Sequence, residues 1–151
     1  MKWKHFLLST LVLFASVSIL ILWSYREQAL SSLLSGEGIP KYISIGYYDG
    51  MEESHIVGAI SEESIADLLY STTVRKGTSY RAMPSPCFEI TVIYSNETYR
   101  VIVGADHTIS VAPIRKLDSR TFWIDTSGEL FEQLYNIHLE NGGQEFPQLI
   151  N

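Results

Sequence analysis

Between Phe6 and Trp23 the chain reads FLLSTLVLFASVSILILW, eighteen residues without one ionisable side chain. As a helix at 1.5 Å per residue this run is about 27 Å long, close to the roughly 30 Å hydrocarbon core of a bilayer. Twelve of the eighteen are Leu, Ile, Val or Phe, and their gross insertion gain is about 4–7 kcal/mol. The hydroxyls of Ser9, Thr10, Ser16 and Ser18 bond back to a helix backbone and reduce that gain only modestly. The run lacks the polar stripe of a core helix. Trp3 precedes it, and Trp23 and Tyr25 close it, where amphipathic rings favour the interfaces. The sequence therefore predicts a single membrane span, Phe6–Trp23. Lys2 and Lys4 on its N-terminal side predict a cytoplasmic N-terminus, with the rest of the chain outside.

A cleavable signal has an apolar core of about 7–15 residues followed by a small-residue cleavage site. This core is longer, and the expectation is a signal-anchor that stays. Ala29-Leu30-Ser31 still offers a small-x-small site, so cleavage near Ser31, giving a secreted factor, stands as the alternative. The predicted organisation is a cytoplasmic tip and transmembrane signal-anchor over 1–25, a juxtamembrane helix and stalk over 26–40, and an extracytoplasmic domain over 41–151. The apolar stripe Ala29, Leu30, Leu33 and Leu34 suggests the juxtamembrane helix. Gly36, Gly38 and Pro40 break it.

Nine of the eleven basic residues and all seventeen acidic ones lie after the anchor, giving that part a formal charge of −8. That balance argues against nucleic acid or anionic lipid as a partner, because both require clustered Lys and Arg. Cys87 is the sole cysteine, so no intrachain disulfide supports the domain. An ordinary apolar core must hold it.

The remaining pattern predicts an α+β fold. YISIGYY (Tyr42–Tyr48) alternates Ile43, Ile45 and Tyr47 against Ser44, Gly46 and Tyr48, a half-buried strand. HIVGAI (His55–Ile60) suggests a second. Ser61 reads as an N-cap for a short helix over Glu62–Tyr70, with Ile65, Leu68 and Leu69 on one face. Thr72–Arg75 suggests a further strand. FEITVIY and TYRVIVG form a hairpin around Ser95-Asn96-Glu97, and Gly104-Ala105-Asp106-His107 turns into TISVAPI, completing a three-strand meander. Phe122–Asp125 is another strand, with Phe122 and Ile124 facing the core and Trp123 opposite. Thr126-Ser127-Gly128-Glu129 reads as a capping box opening a helix to about Leu139. The sum is an antiparallel sheet of about four to six strands with two helices on one face.

An N-terminal anchor, YISIGYYDG, a capped short helix, FEITVIYSNETYRVIVGADHTISV and TFWIDTSGELFEQLYNI together resemble small extracytoplasmic domains of unknown function in Gram-positive bacteria. The likeness covers roughly Tyr42–Leu139. It implies fold and address and carries no activity with it.

No cofactor motif is present, and the chemistry-bearing residues are few. Cys87, His107 and Asp106 are the ingredients of a thiol nucleophile, an imidazole base and a carboxylate orienter. The meander brings Cys87 and the Asp106-His107 turn to one end of the sheet, so a small cell-envelope hydrolase is the alternative function. Against it, Asp106 adjoins His107, and a lone Cys at the head of a core strand serves as a small buried apolar residue. His55, His107 and His138 with Glu52, Glu53 and Glu140 have no recognised metal-ligand spacing, and are expected to be solvated groups at element ends. Tyr42, Tyr48 and Trp123 are the candidates for an exposed aromatic patch that binds a sugar or a protein. The leading expectation is a non-enzymatic, membrane-tethered binding domain acting on a membrane or cell-envelope partner.

Overall fold

The computed structural model describes residues 2–36, 38–48, 54–56, 62–77, 86–115 and 121–142. The apolar run at the N-terminus is helix α1 (Lys2–Ser24), and its stretch Leu7–Ser24 has no buried residue and is long and apolar enough to cross a membrane. Ser24 ends the helix, its hydroxyl donating to the Ile21 carbonyl at 2.8 Å.

Period-two alternation builds the sheet. Strands β5 (Cys87–Ile93), β6 (Thr98–Gly104) and β7 (Thr108–Pro113) form the expected meander. Its inward rows pair Phe88 with Val103, Ile90 with Val101, and Val101 with Val111. Strand β8 (Thr121–Asp125) continues it beside β7. Strand β2 (Tyr42–Tyr48) adds to the other side, Ile43, Ile45 and Tyr47 lying opposite Val92, Ile90 and Phe88. The short β3 (Ser54–Ile56) pairs with β2, and His55–Ile56 is the part of the HIVGAI strand that falls within the described residues. At the far edge β4 (Thr73–Lys76) pairs with β8, and β1 (Gln28–Ala29) with β4. The order is β1-β4-β8-β7-β6-β5-β2-β3, all antiparallel. Among the described residues eight strands exceed the four to six expected; β1, in the segment read as stalk, is the one that no strand expectation covered.

Helices α2 (Glu62–Ser71) and α3 (Leu130–Glu140) pack on the inner face. Ile65 and Leu69 from α2, and Leu130, Phe131 and Leu134 from α3, join one core with the inward strand residues. Ser61, expected to cap α2, lies outside the described residues. The outer face is not uniformly wet: Cys87, Ile102, Ser110 and Ala112 point away from that core and are nevertheless buried.

Four expectations are corrected. Residues 26–35 do not prolong the membrane helix. After Tyr25-Arg26-Glu27 the chain enters β1, then a single 3-10 turn over Leu30–Leu33. Leu30 is 0% exposed, and its N–H donates to the Thr72 carbonyl at 2.8 Å. Leu34 is buried, and the Ser35 hydroxyl bonds the Tyr99 hydroxyl at 2.6 Å. Gly36 lies flat on the Tyr94 ring, where a Cβ would fall inside the ring. The leucine stripe read as helix amphipathicity is a core segment, because burial against α2 and the sheet outweighs local helix preference. The folded domain thus begins near Gln28, not at residue 41.

Second, β8 faces the opposite way: Trp123 lies in the core, while Phe122 and Ile124 are half-buried on the outer face. A one-residue change of register exchanges the faces of every side chain, and Trp123 sits opposite the inward Ile109. Third, Thr126 and Glu129 do not form a capping box. The α3 N-terminus is satisfied by the buried Asp125 carboxylate, which accepts from the Leu130 N–H at 2.9 Å and from the Ser127 N–H and hydroxyl at 3.1 and 2.8 Å. The Ser127 hydroxyl accepts from the Glu129 N–H in turn, and the Thr126 hydroxyl bonds Thr73 instead. Fourth, His138 is buried rather than solvated. It continues the i, i+4 stripe of Leu130 and Leu134, and its ring lies 5.6 Å from Tyr47 and 6.4 Å from Tyr135.

Candidate functional site

The thiol constellation assembles only in part. Cys87 pairs across the ladder with Gly104, and the Ala105 N–H donates to the Pro86 carbonyl, so Cys87 and the Asp106-His107 turn do share one end of the sheet. Their chemistry differs from that of a nucleophilic centre. Cys87 is 1% exposed, and burial, reinforced by the Glu89 carboxylate, pushes its thiol up to about 11. A thiolate needs the reverse: a nearby positive charge and access to substrate. Asp106 is committed to the turn, its carboxylate accepting from the Thr108 N–H at 3.0 Å. His107 takes the left-handed backbone conformation, φ 63°, exposed above Gly128. These two residues make the β6–β7 turn.

The histidines and carboxylates considered for metal are dispersed. His138 is enclosed by aromatic rings, His107 lies in the turn and Glu140 is exposed at the end of α3. His55 sits on β3 opposite Tyr47; Glu52 and Glu53 lie outside the described residues. Among the described residues, no three His, Cys, Asp or Glu side chains converge.

The aromatic patch is divided. Tyr42 is 50% exposed on the outward face of β2. Tyr48 shares that face six residues on, about 20 Å along the strand. Trp123 is on the other side of the sheet. Around Tyr48 the outer face is polar: its hydroxyl bonds the Glu89 carboxylate, which pairs with Arg100 at 2.9 Å. Burial first, and Glu89 second, raise the Tyr48 phenol above its ordinary value.

No sequence pattern pointed to a solvent-open groove of about 340 Å³ on the inner face, lined by Leu33, Ser35, Tyr99, Val111, Pro113, Thr121 and Trp123. Three strands and the segment after β1 converge on it. The Trp123 indole N–H is shielded from solvent and has no hydrogen-bond partner. Two of the walls come from residues read as stalk, and a third from a Trp read as outward, so the arrangement was hidden by both misreadings.

Compared with protein-family models, curated proteins and solved structures, the chain matches none of them.

Proposed function

We propose that the chain is a membrane-tethered binding domain, held outside the cell by α1 and acting on a protein or cell-envelope partner at the bilayer. The observation that carries this reading is the connection: Tyr25, Arg26 and Glu27 alone separate the end of α1 from β1. Three residues span at most about 11 Å when extended. A domain on so short a tether reaches only what lies at the membrane surface. The Arg26 guanidinium over the Trp23 ring, 4.3 Å from its centroid, suits the interface, where an aromatic ring and a cation both reach water. The Lys2 and Lys4 charges favour a cytoplasmic N-terminus. Retention of the anchor is favoured over cleavage near Ser31, because cleavage there removes β1 and the fully buried Leu30. Tyr42, half exposed on the outer face, is the aromatic residue best placed to meet a partner.

The test is the intact mass of natively expressed protein in separated membrane and medium fractions. The expected result is a membrane-bound species at the full 17.1 kDa. A medium species lacking the residues before Ser31 overturns the tether. In-cell cross-linking through a photoreactive residue at Tyr42 is expected to capture a specific membrane or envelope partner, and recovery of none counts against the binding reading.

A further inference from the structure

The formal charge of the chain after the anchor pointed away from anionic lipid, but that charge is unevenly placed. One end of the meander carries the Asp106-His107 turn, where the Asp125 N–H donates to the His107 carbonyl at 3.0 Å. Asp106, Asp125 and Glu129 all belong to that end. The other end holds the β5–β6 hairpin tip, the approach to β2 and the exit from β7. Tyr42 pairs there with Ile93, Ile93 with Thr98, and Tyr99 with Pro113. The Lys41 N–H donates to the Ile93 carbonyl at 2.7 Å. Ile114 and Arg115 line one groove with the hairpin residues 94–98. Over residues 38–42, 93–98 and 113–115 the charged side chains are Lys41, Arg115 and Glu97. Lys41 and Arg115 are exposed. Glu97 turns back on its own hairpin, its carboxylate accepting from the Thr98 N–H at 3.1 Å.

Beyond α1 the described residues expose five large apolar side chains, Tyr25, Ile39, Tyr42, Tyr70 and Ile114, and three of the five stand at this end. Ile39 is 87% exposed. Single exposed apolar side chains need no explanation, whereas a group of them among cations marks a contact surface. Here they project from strand ends around a hairpin tip, a convex arrangement that suits a deformable surface. Tyrosine favours the headgroup level of a bilayer, and Lys and Arg are drawn to anionic headgroups. We propose that this end is a second membrane contact: Ile39, Tyr42 and Ile114 enter the headgroup region of an anionic phospholipid surface, and Lys41 and Arg115 meet its phosphates. The proposal rests on the tethered reading of α1 and deepens it by naming what the Tyr42 end meets. Three side chains alone make a weak contact. The anchor makes it intramolecular, and a tethered second contact needs little affinity to be populated. β7 and β2 lie about 14 and 29 Å across the sheet from β1, so the tether by itself does not hold this end down. Docking it fixes the domain at two points.

The test uses the isotope-labelled full chain in nanodiscs that carry a gadolinium chelate on some lipid headgroups. Broadening of backbone amide resonances then reads closeness to the surface. Gln28 and Ala29 report the tether, Ile39, Tyr42 and Ile114 report the docking, and Asp106 marks the opposite end of the meander. In discs containing phosphatidylglycerol the tip resonances are expected to broaden as strongly as Gln28. In discs of phosphatidylcholine alone they should broaden no more than Asp106. Lys41→Gln combined with Arg115→Gln is expected to lower the docked-to-undocked ratio about 25-fold, at roughly fivefold per cation, with Gln28 unchanged. Tip resonances that stay sharp beside a broadened Gln28 overturn the docking, keep the tether and leave this surface to a protein partner. Equal tip broadening in both lipids, or broadening that survives the double substitution, overturns the recognition of anionic lipid. A broadened tip with a sharp Gln28 upholds the docking and refutes the tether, and sharp resonances at both refute the two together.

Discussion

Leu30→Ala separates a core segment from a stalk more sharply than any other single change. The side chain is 0% exposed and belongs to the core that joins α2 to the sheet. Truncating a buried Leu loses the transfer free energy of the removed methylenes and leaves a cavity, together about 2–5 kcal/mol. A central value of about 3 kcal/mol lowers the melting temperature of a domain this size by roughly 10–15 °C. Ile39→Ala is the matched control, since Ile39 lies in the same stretch and is 87% exposed; surface changes of that kind stay within about 0.5 kcal/mol. The assay is thermal unfolding of the full chain in nanodiscs, followed by near-ultraviolet circular dichroism, because α1 contributes little tertiary signal. A Leu30→Ala shift no larger than that of Ile39→Ala would refute the placement of residues 28–36 in the core. It would also remove the argument against cleavage near Ser31.

Other perturbations follow from the same packing. Asp125→Ala strips three hydrogen bonds from the start of α3 and is expected to cost about 1–3 kcal/mol in urea unfolding, whereas Glu129→Ala stays within about 0.5 kcal/mol; the opposite order would restore the capping box. Gly36→Ala drives a methyl into the Tyr94 ring and is expected to cost about 1–3 kcal/mol, read as a lowered melting temperature; a neutral result would mean that the two do not touch. Cys87 favours the neutral thiol in the folded state, with its pKa raised from 9.0 to about 11, so the stability it contributes is full below pH 9 and lost as pH rises towards 11. Cys87→Ala is therefore expected to flatten the alkaline fall in stability by up to about 1.4 kcal/mol per pH unit over that window. An unchanged slope, or labelling of native Cys87 at the rate of a free thiol, would argue that the thiol is accessible and ionised.

How legible the molecule was depended on which interaction decided each element. The meander was readable because β5 and β6 alternate over seven residues each, and the inward set, Phe88, Ile90, Val92, Tyr99, Val101 and Val103, coincides with the apolar one. β8 failed because both of its faces are apolar: Phe122, Trp123 and Ile124 give no alternation, and the face is set by Asp125, which must turn inward to hold α3. Residues 28–36 failed for a related reason. Leu30, Leu33 and Leu34 suit a helix stripe and a core strap equally, and only contacts with Thr72, Tyr94 and Tyr99, distant in sequence, decide between them. The Cys87 environment was half legible: the ladder brings it to the Asp106-His107 turn as the topology required, but burial on an outward position follows from tertiary cover that alternation does not encode.

The sheet order also separates the two surfaces on which function can rest. β1 is the edge strand joined to α1, so under the proposed tether the β1–β4 side is the one nearest the bilayer. At about 4.8 Å per strand, β8, β7 and β6, which form the sheet wall of the Trp123 cavity, lie roughly 10–19 Å from β1. β2, which carries Tyr42 and Tyr48, lies about 29 Å away. The groove is therefore built from the half of the sheet nearer α1 in the strand order, and one of its walls is the segment that follows β1. The Tyr42 surface belongs to the half farther from β1. Tyr42→Ala is accordingly expected to weaken capture of a partner while leaving the near-ultraviolet circular dichroism of the folded domain unchanged around Trp123, and a change in both would argue that the two regions are coupled.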